Sequence, residues 1–91
     1  MNEKKIKVER VQTGVRMEKR MLKVLKAMAE YHEISLGNLL EGIILHSMEG
    51  KKTFNDDSIK RIEQLKQIYG MDYDSSVAHN LIEEEQLNHD K

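Results

Sequence analysis

The groups best suited to chemistry in this chain are its cations. Residues 1 to 26 hold nine Lys or Arg (Lys4, Lys5, Lys7, Arg10, Arg16, Lys19, Arg20, Lys23, Lys26) against Glu3, Glu9 and Glu18, a balance of +6. Residues 27 to 91 hold six basic and thirteen acidic groups, a balance of −7, so the overall charge of −1 hides a sharp division. A front half of this sign suits a polyanion, held by release of its counterions. The acidic rear suits a protein partner or the front half itself. Covalent chemistry has no comparable signal. Ser, His and Asp all occur, but without a glycine-rich phosphate loop, a nucleophile elbow or a helical His pair. There is no Cys, which removes disulfides, thiolate metal sites and cysteine nucleophiles. His32, His46, His79 and His89 lack the close spacing of metal ligands. The sequence therefore predicts a binding protein with no catalytic residue, metal or cofactor.

The elements that must carry these charges are short. Ninety-one residues allow one compact unit with tails, or half of a larger assembly. With three Tyr, one Phe and no Trp, the core must be built from Met, Leu, Ile and Val. No apolar run approaches a membrane span, and no hydrophobic segment follows the basic start as in a signal peptide, so a cytoplasmic, unprocessed chain is expected. The absence of Pro, with many Lys, Glu, Leu and Met, favours helices. One segment departs from that rule. In RVQTGVRM, residues 10 to 17, Val11, Thr13, Val15 and Met17 alternate with Arg10, Gln12, Gly14 and Arg16, the period of a strand with one wet face.

Helical spacing then takes over. Met21, Val24, Leu25, Met28, Ala29 and His32 recur at a period of 3.6 and predict a helix over about 18 to 32. Ser35 is a credible N-cap, with Ile34 and Leu39 placed as a hydrophobic staple. Leu36, Leu39, Leu40, Ile43, Ile44 and Met48 form a second, broader stripe that Gly50 ends. That stripe is too wide for one small partner helix. Asn55 caps a third helix over about 56 to 69, closed by Gly70, and Val77, Ala78, Leu81 and Ile82 predict a short fourth. Met17, Met21, Met28 and Met48 read as core filler, and Gly42 as a point of close helix packing.

A lone strand needs a second to satisfy its backbone, and the chain offers no other, so the partner strand is expected from another copy. With that dimer in mind, VRMEKRMLKVLKAMAEYHEISLGNLLEGII resembles the ribbon-helix-helix family of Arc, MetJ and CopG type, over about residues 8 to 50. The likeness lies in the apolar positions Val15, Met17, Met21, Leu25, Met28, Ala29, Ile34, Leu39 and Ile43 and in the Ser cap between the helices. Gly14, where the family offers a polar side chain, and Thr13, where it offers an apolar one, depart from the pattern.

The resemblance implies a mainly α homodimer with an intermolecular two-stranded antiparallel β-ribbon and a helical C-terminal extension. Val11, Val15, Met17, Met21, Leu25, Met28, Leu39, Leu40, Ile43 and Ile44 would form its dimer core. Gln12 and Arg16, with Arg10 at the edge, would read bases in the major groove, where Arg can fork onto guanine and Gln onto adenine. Ser35 and the amides of Leu36 and Gly37 would meet phosphate at a helix N-terminus, and Lys4, Lys5 and Lys7 would add phosphate contacts from a flexible arm spanning 1 to 9. The implied function is a sequence-specific double-stranded DNA-binding transcriptional repressor that acts as a homodimer or as a higher oligomer on DNA. The extension over 53 to 82 would join dimers, complete the core or bind a protein, and a toxin there would make the chain an autoregulating antitoxin. Residues 83 to 91 read as an acidic tail. The competing expectation is a helical interaction protein with no nucleic-acid role, whose basic front pairs with the acidic rear.

Overall fold

The structure, a computed structural model, describes residues 4–84. Three α-helices follow one another, α1 Lys19–Tyr31, α2 Leu36–Met48 and α3 Asp56–Tyr69, and then a single 3-10 turn at Ser75–Val77.

Each helix starts where a side chain can take its orphan amides. The Ser35 hydroxyl accepts from the Asn38 amide at 3.0 Å, and the Asn55 carbonyl oxygen accepts from the Ser58 amide at 2.8 Å. Asp56 and Asp57 add negative charge at the positive end of α3. The cap of α1 is Glu18, whose carboxylate accepts from the amides of Arg20 and Met21. All three helices stop on a left-handed residue that lets the next amide reach back five positions. Gly50 and Gly70 do this at φ 68° and 71°, with Lys51 N donating to His46 O and Met71 N to Lys66 O, both at 2.8 Å. After α1 the same turn is made by Glu33 at φ 59°, with Ile34 N donating to Ala29 O. A side-chain-bearing residue is strained there.

Packing is organised around α1, which lies against both α2 and α3. Val24, Met28 and Ala29 from its inner face and Leu39 from α2 are the buried apolar residues, and Leu25, Ile43, Phe54, Ile62 and Leu65 are half-buried around them. The third helix thus supplies Ile62 and Leu65 to the same cluster that α1 and α2 form.

The fold is all-helical, and this corrects the expected ribbon-helix-helix architecture. The described residues contain no strand, so no β-ribbon is present, and residues 4 to 18 have no regular structure. The alternation in 10 to 17 describes which side chains would share a face, but it supplies no partner for the backbone, and no second strand lies alongside. Val11 and Val15, expected in the core, are accordingly 79% and 74% exposed. Of the other expected dimer-core residues, Met28 and Leu39 are buried within the chain itself, Met17, Met21, Leu25, Leu40 and Ile43 are half-buried, and Ile44 is exposed.

The expected fourth helix is also replaced. The Asp74 carboxylate accepts from the Ser76 amide and hydroxyl, which fixes a tight turn, and His79 at φ 68° then redirects the chain. Among the described residues no helix is long and apolar enough to cross a membrane.

Removing one core side chain should cost stability without changing the fold: Leu39→Ala should lower the unfolding free energy by about 2 to 5 kcal/mol at unchanged urea dependence. A chain truncated after Lys52 loses Phe54, Ile62 and Leu65 and should show no cooperative urea transition by circular dichroism.

Candidate nucleic-acid interface

Two surfaces carry the positive charge of the front half. The first is the irregular segment 4 to 18, along which Lys4, Lys5, Lys7, Arg10, Gln12 and Arg16 are all exposed. The second is the outer face of α1. Lys19, Lys23 and Lys26 stand at i, i+4 and i+7, which places three ammonium groups in one row about 10 Å long, opposite the buried Met28. Because the inner face of α1 holds the core, this row must face water.

Arginine and lysine fare differently in the fold. Arg10 forks onto the carboxylate of Glu41 in α2, with Nε and Nη2 each donating at 2.8 Å. This contact raises the Arg10 pKa and lowers that of Glu41, in each case mainly through the side-chain hydrogen bond. Arg16 donates to the carboxylate of Glu83. Arg20 donates to Glu18, to the carbonyl of Gly70 at 2.8 Å and to Asp72 at 3.3 Å. By contrast, Lys19, Lys23 and Lys26 form no ion pair among the described residues. The Lys23 ammonium lies 5.8 Å from the centre of the Tyr69 ring, a weak cation–π contact, in a hollow that Lys19, Glu18 and Glu84 also line.

Both Arg10 and Arg16, expected to read bases, are therefore held by carboxylates of the acidic half, while Gln12 is exposed with no side-chain hydrogen bond among the described residues. Ser35 is the cap of α2, and the amides of Leu36 and Gly37 lie at that helix terminus. The hollow beside them is lined by Lys26 and also by Glu30 and Glu33, so a phosphate there would meet both signs of charge. The row Lys19, Lys23 and Lys26 was not among the expected contacts, although its spacing is plain once the inner face of α1 is known.

A polar clamp holds the start of α1. Tyr73 donates to Glu18 at 2.5 Å, across a separation of 55 residues, and the Arg20 guanidinium lies 5.6 Å from the Tyr73 ring centre. Partial desolvation pushes the Glu18 pKa up, but bonds from the Tyr73 hydroxyl, the Arg20 and Met21 amides and the Arg20 guanidinium outweigh it and hold the value at about 2. Tyr73 is pushed up to about 12 by burial first and then by the adjacent carboxylate. No sequence pattern announced this pair, because it joins a helix cap to a turn remote in the chain. Comparison with protein-family models, curated proteins and solved structures finds no match to this chain.

The clamp has a definite pH signature. Glu18 is lowered from its usual 4.5, so its contribution is complete above pH 4.5 and is lost as pH falls toward 2. Tyr73 is raised from 10.0, so its contribution is complete below pH 10 and is lost as pH rises toward 12. Tyr73→Phe should lower stability near neutrality by about 1 to 3 kcal/mol and flatten both limbs in urea titrations across this range.

Proposed function

We propose that the protein binds double-stranded DNA as a transcriptional repressor, using the exposed basic surface of residues 4 to 26 and no chemistry of its own. The observation that carries this reading is the row Lys19, Lys23 and Lys26, which forms no ion pair among the described residues and is continuous in sequence with a segment that exposes Lys4, Lys5 and Lys7. Six ammonium groups that form no ion pair among the described residues suit phosphate, and their contribution is independent of base sequence. Sequence preference falls to Gln12, Arg16 and Arg10. The two arginines reach base edges only by exchanging Glu83 and Glu41 for DNA, a low-cost exchange since both pairs are solvent-exposed. Repression is steric: an occupied operator is closed to polymerase.

The same reading includes a homodimer. The face of α2 formed by Ile44, Leu45 and Met48 is 49%, 61% and 78% exposed. A second copy covering that stripe would bring two basic fronts to one duplex, and two linked fronts raise affinity without new contacts.

A second reading is favoured by the pairs Arg10 with Glu41, Arg16 with Glu83 and Arg20 with Asp72. They join the three arginines of the basic front to the acidic rear of the same chain, which supports a helical interaction protein that binds no nucleic acid.

Fluorescence anisotropy on a mixed-sequence duplex separates the two readings. DNA binding predicts a Kd that weakens steeply between about 50 and 200 mM salt. Replacing Lys19, Lys23 and Lys26 together by Gln should reduce the slope of log K against log salt by up to about 0.9 per lysine while leaving the helical circular dichroism unchanged. No binding at the lowest salt rejects the DNA reading in favour of the second.

A further inference from the structure

The segment that follows α3 turns back along the start of α1 and lays its carboxylates on the basic front. Asp72 pairs with Arg20 and Glu83 with Arg16. Glu84 lines one hollow together with Lys19 and Lys23. Four cations at the start of α1 therefore share their surroundings with three carboxylates of one short stretch of chain.

Contacts other than these ion pairs hold the stretch in place. The Tyr73 hydroxyl donates to Glu18 at 2.5 Å, and Arg20 donates to the Gly70 carbonyl at 2.8 Å. Further along, Met71, Val77 and Leu81 form one side of an apolar groove whose other sides include Met21 and Leu25 of α1 and Lys66 of α3. The chain thus returns to α1 by apolar and polar contacts at several points before it reaches Glu83.

This anchoring sets the weight of the carboxylates against an incoming polyanion. A single exposed ion pair is worth little and exchanges readily for phosphate. Carboxylates carried by one anchored stretch stay beside their cations after a pair opens, and they return at an effective concentration that a free anion must match. They also offer guanidinium and ammonium groups the same kind of charged oxygen acceptor that phosphate does.

We propose that the stretch 72–84 is an internal competitor for DNA, an autoinhibitory contact in which Glu83 and Glu84 occupy the surroundings of Arg16, Lys19 and Lys23 until DNA displaces them. The inference rests on the DNA reading and adds its regulation: whatever neutralises this stretch or draws it away raises affinity for the duplex.

Fluorescence anisotropy of the full chain on the mixed-sequence duplex at about 50 mM salt tests it. Replacing Glu83 and Glu84 together by Gln should tighten Kd about five-fold. Asp57→Asn with Glu63→Gln removes two charges from exposed positions on α3 that form no ion pair among the described residues, and should tighten Kd less than about two-fold. A double-mutant cycle separates contact from general repulsion: in an Arg16→Gln background, Glu83→Gln should gain no more than Glu63→Gln does. Equal gains from the two double variants, or a Glu83→Gln gain undiminished by Arg16→Gln, overturns the inference and leaves the DNA reading standing. No binding by any of these chains removes the DNA reading, and the inference with it.

Discussion

The inner face of α1 is the constraint on which the structure depends. Val24, Met28 and Ala29 make up most of what the chain removes fully from water, and both neighbouring helices lie against this one element. A single central helix fixes the rest by geometry. Once one side of α1 is committed to the core, Lys19, Lys23 and Lys26 can only point outward, and Glu18 at its N-terminus must be satisfied by whatever side chains reach that end. Tyr73 and Arg20 do so, and they determine in turn where the chain runs after α3.

Charge is distributed by the same geometry. The division into a basic front and an acidic rear does not remain a division in space, because α1 brings α3 and the segment after it alongside the front. The three arginines of the front find carboxylates 31, 67 and 52 positions away, while the lysines of α1 and of the irregular segment form no ion pair among the described residues. Arginine's planar fork suits two-point pairing with a carboxylate, as Arg10 on Glu41 illustrates, and lysine's compact, strongly hydrated ammonium gains less from leaving water. The fold therefore sorts one basic surface into two populations, a paired one and a free one. Any polyanion meets the lysines first and competes with Glu41 and Glu83 for the arginines.

Much of the local structure was legible because it rests on neighbours in sequence. Ser35 and Asn55 as caps, Gly50 and Gly70 as stops, and the apolar stripes of three helices all follow from interactions within four or five residues. The strand expected over 10 to 17 fails for the opposite reason. Its alternation is real, but a strand is stable only through bonds to another strand, and period alone cannot supply one. The fourth helix was overruled by the competing local bonds of Asp74 to Ser76, stronger at that point than a short apolar stripe.

What the amino-acid sequence determined by itself is the approximate limits of α1, α2 and α3 and the sign of charge in each half, since propensity, capping and composition act over short range. The tertiary structure alone decided which cations are ion-paired among the described residues. It also decided that Glu18 and Tyr73 meet, that Ile62 and Leu65 complete the core of α1, and that a groove remains open beside Lys66. These depend on how three helices pack, a balance of burial against polar satisfaction summed over residues far apart in the chain, and no window of sequence contains both sides of that balance.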